Sequence, residues 1–305
     1  MKKLALLLAL CAPLSFSQQE PQPAPQPPPK PITNLAERVA TPSYTDMYCA
    51  GFITKAAYTK DNRIVGGADS PVQTQFHQGD IVFLEGSGYQ EGSRLAVVRA
   101  LRDPNKERAF LGQVAAIAQL GQPYADLGRL RVTAIRGKTA IAEVEFSCST
   151  MVAGDLVVPF QEKPPLPYRS KMTFERFPAG QGSVTGRVVL AKDFDYLAGT
   201  SHKVYISVGA DKGVKVGDYF RAVRNYDPGR MADIDALSGK IQQSEETQMN
   251  AMPISAAKYA ELPQRALAEM IVLTVTPTSS TAMITYALEA VTVGDSVELE
   301  GAEKQ

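Results

Sequence analysis

A chain of 305 residues with 44% hydrophobic content has room for two domains with ordinary cores. Lys plus Arg equals Asp plus Glu at 32 each, and the resulting zero formal charge argues against a nucleic-acid footprint or a broad electrostatic footing on membranes. Trp is absent and there are two His, so indole platforms for sugars and His-rich metal sites are both disfavoured, and no cofactor is expected.

Residues 1–17 read as an export signal: Lys2-Lys3 form a positive start, Leu4 to Leu14 an apolar core, and Ser15-Phe16-Ser17 a small-x-small cleavage site. That core is shorter than the ~20 apolar residues of a membrane span, and no later segment approaches this length. A competing reading is lipoprotein processing at Cys11, which would anchor the mature amino terminus; Leu10 is bulkier than the residue usually found before such a Cys. Residues 18–43 form a Pro-rich linker, with seven Pro between Glu20 and Pro31. From Glu20 to Pro31 the composition favours polyproline II, a stiff spacer that spans ~37 Å over these twelve residues at ~3.1 Å per residue. The expected location is periplasmic or associated with the outer membrane.

Cleavage after Ser17 would leave Cys49 and Cys148. Both lie in strand-like segments, Met47 to Ile53 and Val144 to Cys148, and in an oxidising compartment they are expected to form a disulfide. The alternative is two buried, unpaired Cys acting as small hydrophobes.

A first β domain is expected over 44–160. Short segments rich in Val, Ile, Phe and Leu, separated by Gly and polar turns, predict strands at Gly51–Tyr58, Asp80–Glu85, Ser93–Ala100, Leu127–Ile135, Thr139–Ser147 and Asp155–Phe160. A helix is predicted between the third and fourth, with Asp103 as cap and Pro104 in the first position. Phe110, Leu111, Val114, Ile117 and Ala118 would share one face before Gly121, and the helix would plug one end of a barrel. A Pro-rich connection, 161–181, separates this from a second β domain over 182–300, followed by a tail at 301–305. Strands are predicted there at Ser183–Leu190, Lys203–Val208, Asp218–Asn225, Leu267–Thr276, Thr281–Leu288 and Asp295–Glu300.

The two domains repeat one plan. Gly92 stands seven residues before Arg99 of Val98-Arg99, and Gly217 seven before Arg224 of Val223-Arg224. Leu127 to Asp155 matches Leu267 to Asp295 in length, each span holding a Thr-Ala pair (Thr139-Ala140, Thr281-Ala282). The offset between matching positions grows from 125 to 140, which places an insertion of about fifteen residues in an exposed loop at about 229–264. The fold expected is mainly β: two duplicated small barrels, the first with a short helix.

Four Gly-Asp pairs (Gly79-Asp80, Gly154-Asp155, Gly217-Asp218, Gly294-Asp295) each precede an apolar strand. They read as turns, with Gly at positive φ and Asp accepting from the backbone that follows. Arg63-Ile64-Val65-Gly66-Gly67 looks like a chymotrypsin-type activation site, but the nucleophile context and the Ala-Ala-His-Cys segment of that family are missing. The glycines around Gly86-Ser87-Gly88 and at Gly180, Gly182 and Gly186 open no helix and carry no Lys-Ser/Thr, so they read as hairpin turns and not as phosphate loops. His77 and His202 stand at matching places before the second strand of each unit and read as edge residues. No catalytic residue, cofactor site or metal site is assigned.

Taken together, the strand, Gly turn and Val-Arg strand, followed by a long hairpin with Thr-Ala and a closing Gly-Asp strand, resemble the β-rich repeats of bacterial envelope proteins. They are similar to the carboxy-terminal domain of flagellar assembly protein T and to domains adjacent to LysM modules, over about 230 residues. No LysM module is visible, and a flagellar or wall-binding role is not carried over. The function expected is non-catalytic binding or scaffolding in the cell envelope, with an envelope protein or cell-wall component as partner. The alternatives are a secreted hydrolase with a scattered active site and a wall-polysaccharide binder.

Overall fold

A computed structural model of the protein describes residues 39–70, 72–105, 107–166, 174–178, 182–224, 258 and 261–300. The expected export signal with Cys11, the Pro-rich stretch up to 38, part of the 161–181 connection, most of the expected 229–264 insertion and the tail at 301–305 lie outside these residues.

The described chain is mainly β and forms two closed six-stranded barrels. The first half supplies β1 (Phe52–Thr54), β2 (Arg63–Gly67), β3 (Gln75–Phe76), β4 (Ile81–Glu85), β5 (Arg94–Ala100), β6 (Gln122–Arg136), β7 (Thr139–Ser147), β8 (Met151–Val152) and β9 (Leu156–Pro159). The second supplies β10 (Thr185–Ala191), β11 (Leu197–Ala198), β12 (Lys203–Ile206), β13 (Tyr219–Arg224), β14 (Arg265–Val275), β15 (Ser280–Ala287), β16 (Val291–Thr292) and β17 (Ser296–Leu299). In ring order the barrels are β2-β4-β7-β6-β5-β9 and β10-β12-β15-β14-β13-β17, antiparallel throughout. Closure removes free sheet edges.

The duplication extends to irregularities of the backbone. Bulges fall at Ile64/Gly66 and Val188/Leu190, and at Val97/Val98 and Ala222/Val223, in matching pairs of strands. Arg94 pairs with Arg131, and Tyr219 with Ile271. Tyr219 stands 125 positions after Arg94 and Ile271 stands 140 after Arg131, so the β13–β14 connection is 15 residues longer than its counterpart.

Three sequence expectations need correction. The first barrel strand of the first half is not Gly51–Tyr58. It is Arg63–Gly67, the stretch that looks like a protease activation site, and the short strand β1 lies outside the ring against the start of β6. Met47 is not in a strand either: Tyr44–Tyr48 is a helical turn, α1, because Ser43 and Asp46 form a reciprocal capping box. Finally, the predicted helix starts ten residues after Asp103, as α2 (Gln113–Leu120). Asp103 instead accepts from Asn105 N at 2.8 Å and pairs with Arg108, a local turn that competes with helix initiation. Nor does α2 plug its own barrel; Leu120, Ala116 and Ile117 pack with Val189 and Leu190 on the outside of the second one.

Each barrel has its own core. The first is built around Ile64, Phe76, Leu84, Leu130 and Met151, and the second around Val188, Ile206, Phe220, Leu267 and Met270. β7 alternates buried and partly exposed residues, as a strand with one covered face does, whereas β15 is buried at seven consecutive positions. Its second face is covered by a strap from the amino-terminal side: Ala40 and Ala50, together with Leu166, pack with Ile271, Leu273 and Met283. Among the described residues the two barrels thus form one compact unit.

Candidate functional site at the seam between the barrels

The Gly-Asp corners are turns of one construction. Asp80, Asp155, Asp218 and Asp295 each accept, through Oδ2, the backbone N–H three residues earlier, from His77, Val152, Lys215 and Thr292 respectively, at 2.7–2.8 Å. The bond therefore comes from the residues that precede the Asp and not from those that follow. The glycines have φ between +91° and +112°, where a side chain is disfavoured.

The two His are not equivalent. Gly79 N and Ser201 N donate to Val144 O and Ile284 O, and Val144 N and Ile284 N donate to Asp80 O and His202 O. His202 therefore matches Asp80. Its Nδ1 accepts from Gly199 N at 3.1 Å, as the Asp80 carboxylate does from His77 N. A ring nitrogen has replaced a carboxylate oxygen in the same turn, and His77 contributes only its backbone; both side chains are exposed.

The Val-Arg motifs complete the closing turns. Arg99 grips Asp155 through Nε and Nη2, both at 2.7 Å, and Arg224 grips Asp295 at 2.8 and 2.7 Å. Each guanidinium also donates to a carbonyl at the start of the same turn, Thr150 O or Ala290 O. The carboxylates hold both arginines above their ordinary pKa. These planar pairs lock β5 to β9 and β13 to β17. The sequence shows both motifs of each clamp, but they lie 56 and 71 residues apart and nothing local couples them.

Between the barrels, the strap is held from both sides. The disulfide Cys49–Cys148, with Cα atoms 5.5 Å apart, fixes the end of α1 to the turn after β7. Arg129 stacks over Phe160 and bonds Glu145 and the Tyr44 hydroxyl. On the opposite side Asp46 pairs with Lys203 of β12. Lys163 reaches the Met47 carbonyl and Thr274 Oγ1, and burial lowers its pKa, partly offset by Asp126. The strap's backbone oxygens are satisfied by barrel hydroxyls: Thr281 Oγ1 donates to Gly51 O and Ser279 Oγ to Ile53 O, both at 2.8 Å, and Tyr205 Oη to Ala50 O at 3.3 Å.

Gly51 is the tightest point. At φ +72° a Cβ would stand 2.5 Å from Tyr205 Oη and 2.9 Å from Tyr124 O. Gly51→Ala is expected to cost at least roughly 1–3 kcal/mol from backbone conformation alone. Tyr205→Phe, which removes the nearer oxygen, should recover part of the loss; chemical denaturation of the single and double variants measures it.

Beside Gly51 lies a cavity of about 280 Å³ lined by Gly51, Leu101, Ala125, Asp126, Lys192, Asp193, Phe194 and Tyr205. The Asp126 carboxyl is deep among protein atoms yet keeps part of its surface open, and burial raises its pKa against the opposing influence of Lys163, the Gly51 N–H and Lys192. Asp126 Oδ2 accepts from Gly51 N at 3.0 Å. One wall is strained: Asp193 and Phe194 sit at φ +62° and +63°, a conformation costly for non-glycine residues. It is held there in part by the connection from β5 to α2, whose Asn105 Nδ2 donates to Phe194 O at 2.8 Å. A wider depression of about 430 Å³ near Leu120 and Thr278 has charged members, Lys55, Asp211 and Lys212, that are all exposed.

A third feature is apolar and outward. Leu111, two residues before α2, is fully exposed at 101%, and Val114 of α2 is exposed at 56%. Tyr196 Oη donates to Glu107 O, and Phe110 packs on Gly294 beyond β16, the partner of β11. These contacts tie the segment that carries Leu111 and Val114 to the part of the second barrel that carries exposed Tyr196 and Leu197.

These features define a tandem pair of six-stranded barrels clamped by a disulfide-anchored strap. No protein-family model matches the chain, and no curated protein does. Among the described residues no helix is long and apolar enough to cross a membrane, and no group of three or more His, Cys, Asp or Glu is placed to hold a metal ion.

Proposed function

We propose that the protein is a non-catalytic binding or scaffolding protein of the cell envelope that holds a protein partner on the apolar surface around Leu111, Val114 and Leu197. The carrying observation is that Leu111 and Val114, at 101% and 56% exposure, lie on a segment that the Tyr196–Glu107 bond and the Phe110–Gly294 contact tie to the part of the second barrel carrying Leu197, at 59%. Exposed aliphatic residues grouped in this way favour a contact surface. A protein with zero formal charge lacks the field that would draw a nucleic acid or an anionic membrane, so the partner suited to this surface is another protein with an apolar contact face. The disulfide fits an oxidising, extracytoplasmic compartment.

The triple variant Leu111→Asp, Val114→Asp and Leu197→Asp should remain folded and exported, because none of the three side chains is buried. It should lose the partners recovered with the wild-type chain by crosslinking in the native cell and mass spectrometry. If a second copy is the occupant, light scattering will show a dimer that the variant lacks. Retention of every crosslinked partner by the variant would sink this reading.

A further inference from the structure

We propose that the cavity at the seam binds a primary ammonium group carried on a short apolar stem, with the Asp126 carboxylate as its anchor. This site shares no residue with the surface around Leu111 and stands or falls separately.

The argument rests on what faces the cavity. Among the described residues, Gly51 N is the one hydrogen-bond donor to Asp126, so a carboxylate with room for several donors uses a single lone pair. The nearby Lys163 ammonium already bonds Met47 O and Thr274 Oγ1, and Lys192, which lines the cavity beside Asp193, makes no hydrogen bond to Asp126 among the described residues, so both lower the cost of the charge without satisfying the oxygens. Tyr205 Oη directs its hydrogen to Ala50 O and keeps a lone pair to accept with. Both acceptors adjoin Gly51. An ammonium brings three N–H donors and one positive charge, and a buried, underused carboxylate binds such a group strongly. A divalent cation would need more oxygen ligands than are present. Leu101, Ala125 and Phe194 offer hydrocarbon to the stem. The two left-handed residues of the wall are what a preformed site would retain at a cost to stability.

Burial also sets the pH dependence. The carboxyl is raised above its usual range, so its charged form is disfavoured in the folded protein. Affinity for an ammonium is full above that raised pKa and falls as pH drops through it. Conversely, Asp126→Asn keeps an oxygen for Gly51 N, removes the buried charge, and should not weaken the fold at neutral pH.

The test is a titration of the full chain with n-butylammonium chloride, followed by amide NMR shifts, with butan-1-ol and sodium butyrate as controls at equal ionic strength. Saturable shifts at Gly51 and Asp126 are expected for the ammonium in the millimolar range, with at least tenfold weaker binding in Asp126→Asn and weakening in Tyr205→Phe. Ala125→Leu, which fills the cavity, should abolish binding, and its titration decides the outcome should the Asn variant fail to fold. Equal binding of butan-1-ol, preference for butyrate, undiminished binding by Asp126→Asn or Ala125→Leu, or no saturable response would each overturn the proposal.

Discussion

Replacing Cys49 and Cys148 together by serine is expected to lower the unfolding free energy by about 3 kcal/mol. The bridge closes a loop across 99 positions, for which the chain-entropy model sets an upper value of ~4.7 kcal/mol. Its effect is not confined to the first barrel. The bridge holds α1 to the turn after β7, while the strap that continues from it covers Ile271, Leu273 and Met283 of the second barrel. Amides of β14 and β15 should therefore exchange faster in the double serine variant, whereas β4 and β5 of the first barrel should change less. Urea unfolding gives the first quantity and hydrogen exchange the second. Equal midpoints for both proteins, or loss of protection confined to the first barrel, would refute the coupling.

The second large effect is expected at the paired arginines. Arg99→Met strands Asp155, whose side chain is 3% exposed, and Arg224→Met strands Asp295 at 8%. Stripping the partner from a buried pair costs ~3–5 kcal/mol; the arginines themselves are 38% and 31% exposed, so about 2 kcal/mol is the fitting expectation. Lysine should not rescue either site, because it cannot reproduce the two-pronged contact. Since the clamps are equivalent, the two losses should be similar. A double-mutant cycle of Arg99→Met with Asp155→Asn should return most of the loss as interaction energy. Additive losses would show that the pair is incidental.

Much of the architecture was legible because it is written in local pattern. Gly before Asp at a regular distance marks turns, since positive φ and a short acceptor are requirements of the turn itself and independent of what surrounds it. Alternation along Thr139–Ser147 reports one covered face, and the largely apolar stretch from Ala266 to Leu273, interrupted by Glu269, reports two. Equal spacing of such signals in both halves establishes the duplication, and the step in the offset locates the longer connection. The pairing of Cys49 with Cys148 followed from compartment and number.

Tertiary structure decided the rest, because those features depend on residues far apart in the chain meeting. Arg63–Gly67 has two glycines and an exposed Arg and Val, too weak a pattern to outrank Phe52–Thr54, yet its bonds to β4 and β9 close the first ring. The equivalence of His202 with Asp80 is visible only through the carbonyls their neighbours bond, since a ring nitrogen and a carboxylate oxygen share no sequence signature. The apolar run in β14 announces a second covered face without saying that the strap covers it. Asp126 stands one residue before the strand expected at Leu127–Ile135 and carries no signal of its own; its burial, its single donor and its place beside strained Asp193 and Phe194 arise only where the two barrels enclose a space.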